Sequence, residues 1–289
     1  MIPLVFLSML IGTSSEAFGS LPEPGIIHGQ KYEDTNGNGR HDYHEPYLNG
    51  WTIFLDENEN GYLDKGEQST ITGNKYYSID YSKQSPDIEL GQKFDGGYYW
   101  FMDIQEGDYT VCEVLRDNWV QTQPGTPYKA DCYKVTIDSK NQGFDGLDFG
   151  NYEMGAITGQ KYEDINGNGQ YDYGEPSLEG WTIFLDENGN GYLDKNEKST
   201  VTHSDYPGDP AHYEFRDLLL GDYRVCEVLK DNWVQTQPGF PNQTQCYDET
   251  IDFSGEICAY HDFGNLYVPK GKANLTVIKN VINNDGGTA

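Results

Sequence analysis

Oxygen-bearing side chains recur at alternate positions in short acidic stretches of this sequence, an arrangement that could hold a metal ion. In residues 56–67 (DENENGYLDKGE), Asp or Asn stands at positions 1, 3 and 5, Gly at position 6, Asp at position 9 and Glu at position 12. Short polar side chains at alternate residues can reach one ion as the chain wraps around it, and the glycine permits the sharp turn. The glutamate is long enough to close the coordination sphere with both oxygens. This spacing is that of a calcium-binding loop of the EF-hand type.

The same twelve-residue spacing occurs four times, so calcium is the predicted cofactor. The predicted ligands are Asp34, Asn36, Asn38, Asp42 and Glu45 in loop 1; Asp56, Asn58, Asn60, the Tyr62 carbonyl, Asp64 and Glu67 in loop 2; Asp164, Asn166, Asn168, Asp172 and Glu175 in loop 3; and Asp186, Asn188, Asn190, the Tyr192 carbonyl, Asp194 and Glu197 in loop 4. The alternative is plain turn chemistry, which Asn and Asp also favour. Strand-like sequences, not helices, enter the loops, so we expect structural sites rather than a helix-opening switch.

The loops lie in two copies of a longer repeat. The segment GQKYEDTNGNGRHDYHEP at 29–46 returns with few changes at 159–176, and DNWVQTQPG at 117–125 returns at 231–239. Copy one has an insertion, residues 73–97, which we expect to form an enlarged surface loop. The predicted organisation is a first module over 25–152, a second over 156–266 with a short stiff junction between them, and the truncated start of a further β module over 273–289.

The elements that must position the loops read as β-strands. The runs WTIFL (51–55), YTVCEVL (109–115) and YKVTI (133–137) are β-branched, aromatic or alternating in polarity, and Gly, Asn and Pro separate them. No long stretch has helical periodicity. Several short strands per copy, with dense turn signals, predict an all-β protein of tandem β-sandwich domains.

Composition limits the partners and the location of the chain. The formal net charge is -28, so nucleic acid and anionic membrane surfaces are not expected partners. The 23 Tyr and 12 Phe argue against a disordered acidic tail. Residues 1–19 contain an apolar run followed by small residues, which predicts a signal peptide and export, while a buried N-terminal strand is the alternative. No other stretch is apolar enough to span a membrane, so we expect a secreted or cell-surface protein.

The cysteines follow the repeat. Cys112 and Cys226 each lie in a VCEV segment, and Cys132 and Cys246 each follow at the same distance. The repeated spacing predicts the disulfides Cys112–Cys132 and Cys226–Cys246, with four reduced buried thiols as the alternative. Cys258 has no counterpart, and its role is open.

Taken together, these motifs resemble a known family. The GQKYED segment, the GWTIFLDENENG loop, GDYTVCEVL with WVQTQPG, and the closing DFGN are similar to B-type domains of serine-aspartate repeat surface proteins, over roughly residues 25–266. These domains are grouped with the collagen-adhesin B-type repeats. The resemblance implies prealbumin-like or Ig-like β-sandwiches that are stiffened by calcium. It also implies a role as a stalk that projects an adhesive or catalytic head.

The resemblance also raises a covalent cross-link, because some related sandwiches join a Lys to an Asn through an isopeptide bond assisted by a buried acid. The matching residues are Lys31, Glu113 and Asn151 in copy one, and Lys161, Glu227 and Asn265 in copy two. The reaction needs a neutral lysine as nucleophile and a carboxyl group that polarises the amide. A plain Lys–Glu ion pair is the alternative.

We expect no enzymatic activity. The sequence contains no GxSxG, HExxH or phosphate-binding glycine loop, and none of the six His recurs at a matched position in the two copies. The predicted function is therefore a structural stalk or adhesin spacer with calcium as partner. Two alternatives remain: a module that binds a cell-surface glycan or protein through the copy-one insertion or through exposed aromatic side chains, and an accessory region of a secreted enzyme.

Overall fold

The computed structural model describes residues 24–73, 77–79, 88–90, 96–127, 129–140, 142–239 and 245–270, with backbone alone for 77–79 and 88–90. The regular secondary structure of these residues consists of β-strands, so the predicted all-β class is confirmed. Nowhere in these ranges is there a helix of the length and apolarity that a membrane crossing requires. The predicted signal peptide (1–19) and further module (273–289) lie outside the described residues.

The strands fall into two series that follow the repeat. The first series consists of β1 (Gly25–Glu33), β2 (Thr52–Leu55), β3 (Ser69–Ile71), β4 (Tyr77–Ile79), β5 (Ile88–Leu90), β6 (Tyr98–Ile104), β7 (Gly107–Glu113), β8 (Trp119–Gln123), β9 (Gly125–Thr126), β10 (Lys129–Ala130), β11 (Tyr133–Ile137), β12 (Gly143–Phe144) and β13 (Phe149–Glu153). The second consists of β14 (Gly155–Glu163), β15 (Thr182–Leu185), β16 (Ser199–Val201), β17 (His212–Leu218), β18 (Gly221–Glu227), β19 (Trp233–Gln237), β20 (Tyr247–Ile251), β21 (Ile257–Cys258) and β22 (Phe263–Tyr267).

Each series builds a two-sheet sandwich with the same topology. In copy one, β1 lies between β6 and β13, with β8 beyond β13 and β12 also paired to β1. The second sheet has the order β11-β7-β2-β3. In copy two, β14 lies between β17 and β22, with β19 beyond β22 and β21 also paired to β14, and the second sheet has the order β16-β15-β18-β20. The first and last strands of each copy are adjacent and parallel. The predicted sandwich architecture is therefore confirmed.

Alternating burial explains why these segments form strands. Along β1, Ile27, Gly29 and Lys31 are buried, whereas the alternating residues His28 and Gln30 are partly exposed. The inward side chains of both sheets meet in one apolar core per copy, which in copy one includes Ile53, Phe101 and Phe149. Side chains alternate across a strand, so each sheet can bury one face while its loops stay in solvent. Lys31 is the exception, because it places an amine inside the core.

The two copies differ most at the insertion. The sequence predicts an enlarged loop there, and the structure places the two-stranded hairpin β4–β5 within it, while 74–76, 80–87 and 91–95 lie outside the described residues. In copy two, the short segment 204–211 takes its place. At the junction, Glu153 donates its backbone N–H to the Ser254 hydroxyl, at 2.9 Å, and the Ser254 N–H donates to the Thr35 carbonyl, at 2.9 Å. The two copies therefore contact each other directly beside loop 1.

Candidate calcium loops and buried cross-link sites

Each predicted calcium loop begins where a sandwich strand ends. Loop 1 follows β1, loop 2 follows β2, and loops 3 and 4 follow the equivalent strands of copy two. The aspartate at position 1 is buried in all four loops: Asp34, Asp56, Asp164 and Asp186 are at most 4% exposed. A carboxylate buried at a strand end needs compensating partners, because an isolated buried charge is costly. The loop backbone provides those partners.

Hydrogen bonds fix the position-1 carboxylate in the same way throughout. In loop 1, one oxygen of Asp34 accepts from the Gly39 N–H at 2.7 Å, and the other accepts from the Asn38 N–H at 3.0 Å. The same glycine contact measures 2.7 Å at Asp56, 2.7 Å at Asp164 and 2.9 Å at Asp186. Gly39 has a φ of 75°, which favours glycine over other residues at position 6.

The glutamate at position 12 bridges both ends of its loop. In loop 1, Glu45 accepts from the Thr35 N–H at 2.8 Å with one oxygen and from the Asp42 N–H at 2.9 Å with the other. In loop 2, Glu67 makes the equivalent contacts with Glu57 and Asp64, at 3.0 and 2.8 Å. Loops 3 and 4 repeat the pattern through Glu175 and Glu197. The carboxylate is thereby held against the start of the loop.

The amides at positions 3 and 5 turn towards the aspartate at position 9. In loop 1, Asn36 and Asn38 donate to the same Asp42 oxygen, at 2.9 and 2.7 Å. These hydrogen bonds lower the pKa of the Asp42 carboxyl, and the matching pair in loop 2 lowers the pKa of Asp64. The same two contacts occur at Asp172 and at Asp194. An aspartate that stays ionised is suited to bind a cation.

This donor set fits calcium. Every loop brings together three carboxylates and two amide groups, and calcium prefers six to eight oxygen ligands. To coordinate an ion, the two amides would present their oxygens in place of the N–H groups that now face position 9. The Tyr62 side chain is 75% exposed and Tyr192 is 77% exposed, so position 7 can offer only a backbone carbonyl to the loop interior. The ligand assignments stay a prediction.

The predicted disulfides are confirmed, and they lie beside two of the loops. Cys112 is bonded to Cys132 and Cys226 to Cys246. The Cys226 sulfur lies 3.8 Å from the carboxylate of Asp186, the first residue of loop 4, and Cys112 has the same relation to loop 2. Asp186, Cys226 and Cys246 lie close together, but the two sulfurs are bonded to each other and are not free thiolates. These three residues are therefore not a thiolate metal site. Cys258 is a free buried thiol.

The three residues predicted for a cross-link in copy one meet in the core. The Lys31 amine donates to the Asn151 side-chain oxygen at 2.5 Å, and it lies 3.5 Å from a Glu113 carboxylate oxygen. Lys31 and Asn151 are both 0% exposed. They come from the adjacent strands β1 and β13, whereas Glu113 reaches across the core from the end of β7. The Lys31 amine also lies 4.4 Å from the ring centroid of Trp51, which the sequence reasoning did not place at this site.

Copy two repeats the arrangement. The Lys161 amine donates to the Asn265 side-chain oxygen and lies 3.4 Å from Glu227, while the Asn265 amide donates to Glu227 at 2.9 Å. Trp181 covers the amine at 4.4 Å. Trp51 and Trp181 each stand twenty residues after the lysine of their copy, a repeated spacing that could have indicated this apolar cover.

Burial moves both titrating partners towards their neutral forms. Removal from water lowers the pKa of Lys31 to about 8 and the pKa of Lys161 to about 8, although the neighbouring glutamate opposes the shift. Removal from water also raises the pKa of Glu113 and of Glu227 above the ordinary carboxyl value. A neutral amine is a nucleophile, and a protonated carboxyl can polarise an amide. The arrangement therefore has the groups that amide exchange between Lys and Asn requires.

Comparison with known proteins supports the resemblance drawn from the motifs. No family model matches the chain. Serine-aspartate repeat-containing protein D of Staphylococcus aureus (strain Newman) is 27% identical over 230 residues, which are 78% of this chain and 14% of that protein. Serine-aspartate repeat-containing protein I of Staphylococcus saprophyticus is 28% identical over 211 residues, 66% of this chain and 10% of that protein. The predicted similarity to this family is confirmed.

Among solved structures, the Bacillus anthracis TIE protein is similar over 85% of this chain and 34% of its own, with 13% identity and a TM-score of 0.30. The chain spans only 14% of the length of the curated relative in S. aureus. The activity and partners of that full-length relative are therefore not assigned to these two sandwiches.

Proposed function

We propose that this chain, a relative of the serine-aspartate repeat proteins, is a non-catalytic extracellular spacer whose two sandwiches are stiffened by calcium. One observation carries the proposal: four loops of identical spacing hold their carboxylates in the same hydrogen-bonded arrangement, two loops to each sandwich. Turn chemistry alone would not require the same long-range contact between positions 2 and 12 in every loop. The loops join strands of the sandwich, so an ion bound there would restrain the sandwich itself.

Calcium would supply charge compensation. Each loop collects three carboxylates, and the whole chain carries a net charge of -28. Without a cation, like charges within a loop repel one another and favour its opening. Extracellular calcium modules bind with dissociation constants of roughly 0.1–1 mM, so the loops would fill outside a cell. A spacer of this kind would be stiff in the extracellular medium and looser before export.

A thermal melt of the chain in calcium and in chelator tests the proposal. Ligand at about ten times its dissociation constant stabilises by roughly 1.4 kcal/mol per site, so two sites add about 3 kcal/mol to each sandwich. For domains of this size, that free energy corresponds to a rise in the unfolding midpoint of about 10 °C. Magnesium should produce a smaller rise, because it demands a tighter octahedral site.

Matched variants assign the effect to the loops. Glu67→Gln removes one charge at position 12 of loop 2 and should reduce the calcium-induced rise. Glu57→Gln is the control, because only the backbone N–H of Glu57 takes part in the loop. A midpoint that calcium does not change, or an equal loss in both variants, would rule out structural calcium sites in these loops.

Covalent links would add to this stiffness. The disulfides tie β7 and β18 to the segments that precede the next strand of the same sheet. The Lys–Asn pairs would join the first strand of each sandwich to its last. In that step the Lys amine nitrogen bonds to the Asn side-chain carbonyl carbon, the carbon–nitrogen bond to the Asn amide breaks, and ammonia leaves with protons relayed by the glutamate.

A further inference from the structure

A cluster of two histidines and an aspartate in copy two is separate from the calcium loops. His203 and His212 form an antiparallel bridge in which each backbone N–H donates to the other residue's carbonyl, at 3.1 and 2.9 Å. Residues directly opposite each other in such a pair project their side chains to the same face. The two imidazole rings accordingly lie side by side, with centroids 4.7 Å apart.

Contacts with backbone carbonyls indicate which ring nitrogen of each histidine is available to bind a metal ion. The Nδ1 atom of His203 lies 3.3 Å from the Val201 carbonyl, and Nδ1 of His212 lies 3.4 Å from the Pro210 carbonyl. A carbonyl can only accept, so these contacts are hydrogen bonds in the tautomer that carries its proton on Nδ1, which leaves Nε2 with a free lone pair. Metal-binding histidines commonly have this arrangement, in which one ring nitrogen donates to a carbonyl and the other binds the ion.

A carboxylate completes the cluster. Oδ1 of Asp205 lies 3.6 Å from Nε2 of His203, and Oδ2 of Asp205 lies 3.7 Å from Nε2 of His212. These distances are too long for hydrogen bonds. The ligand atoms of the three side chains all lie within 4.8 Å of one another. Two ligands bound tetrahedrally to zinc at about 2.0–2.1 Å lie about 3.3 Å apart, so an inward movement of at most about 1.5 Å would bring the three side chains around one ion.

We propose that His203, Asp205 and His212 bind one divalent transition-metal ion of the zinc class, with solvent at the remaining coordination position. Two imidazole nitrogens and one carboxylate suit zinc, copper or nickel, whereas calcium prefers oxygen ligands alone. The side chain of Asp205 is 61% exposed, so the ion can enter directly from solvent. The site does not depend on calcium in the four loops.

The position of the cluster indicates what the ion would do. His203 follows β16 and His212 begins β17, and these strands belong to opposite sheets of the copy-two sandwich. A metal ion would therefore clip the two sheets together at the base of the segment 204–211. The matching bridge in copy one pairs Gly73 with Tyr98, so neither of these two positions carries a histidine.

Titration calorimetry of the chain with zinc chloride, in excess calcium to occupy the loops, tests the site. We expect one zinc ion per chain. Loss of a group that only hydrogen-bonds to a metal ligand already costs 10- to 100-fold in metal affinity. Loss of a ligand itself, in His203→Gln or Asp205→Asn, should therefore weaken zinc binding by about 100-fold or more. His44→Gln is the control, because this exposed imidazole lies outside the cluster, and it should bind zinc as the parent does.

Two results would overturn the proposal: unchanged zinc affinity in His203→Gln, or equal losses in that variant and the His44→Gln control. Imidazole NMR gives an independent check on the same samples. Zinc should shift the Nε2 resonances of His203 and His212 and leave their Nδ1 atoms protonated, and an ion bound through Nδ1 would contradict the geometry. The calcium-dependent midpoint of each variant establishes that it is folded.

Discussion

The Lys–Asn pairs lead to a prediction that can be tested on each copy separately. Lys161 and Asn265 are 104 residues apart in the sequence, and Lys31 and Asn151 are 120 apart. A covalent link across a loop of about 100 residues removes unfolded-state entropy worth roughly 4.7 kcal/mol in the chain-entropy treatment. The stability of a small domain is about 5–15 kcal/mol, so this term would be a large part of it.

The perturbation is Glu227→Gln, which keeps both reacting side chains of copy two but removes the acid that relays protons. We expect the intact mass of the parent to fall below its sequence mass by one ammonia per copy, and the variant to lose ammonia from copy one alone. The masses are measured after full reduction, so that the disulfides do not contribute. In guanidinium chloride, copy two of the variant should unfold with a free energy lower by about 4–5 kcal/mol.

Controls separate chemistry from folding. Asn265→Ala abolishes the copy-two bond by removing its electrophile and should match Glu227→Gln in mass deficit. In Glu113→Gln, the bond should be missing from copy one, and ammonia should be lost from copy two alone. A parent protein at its unmodified sequence mass would refute the cross-link, and the buried groups would then be an ion pair. A Glu227→Gln variant that still loses two ammonia would refute the role assigned to the glutamate.

Two further predictions concern packing and the disulfides. A Cβ on Gly150 would lie 2.5 Å from the Tyr32 ring, so Gly150→Ala should destabilise copy one by about 1–3 kcal/mol in denaturant unfolding. Gly73→Ala should not, because no atom of the described residues lies within 4 Å of a Cβ added there. Equal stability of the two variants would contradict the close packing. Replacing Cys132 with Ser breaks the disulfide to Cys112, which spans 20 residues, and should cost about 3 kcal/mol; an unchanged denaturation midpoint would contradict this estimate.

Features that depend on local sequence were predictable. Each of the four loops is twelve consecutive residues, so its spacing could be read from the sequence. The structure adds the hydrogen bonds that hold positions 1, 9 and 12, and calcium binding stays a prediction. The disulfides were predictable because the repeat supplied the same cysteine separation twice. In the same way, the β-branched and aromatic run in residues 133–137 predicted β11, which the structure places at Tyr133–Ile137.

Features that depend on contacts between distant strands were not visible in the sequence alone. Lys31 and Asn151 required the family resemblance, because no local pattern brings the first and last strands together. The His203–His212 pair was overlooked because the histidines were compared between copies, and neither has a matched histidine in copy one. The hairpin β4–β5 had no counterpart in copy two from which its strands could be inferred.

The strand order explains why a link between Lys31 and Asn151 would matter for a spacer. Lys31 lies two residues before the end of β1, and Asn151 is the central residue of β13. These strands are adjacent and parallel, so tension applied along the chain would shear them past each other. With a covalent bond between the two side chains, tension passes from β1 directly into β13 and on to copy two. The loops, the disulfide and the core between those residues would then carry none of the load, and calcium would only have to keep the sandwich folded around the bond.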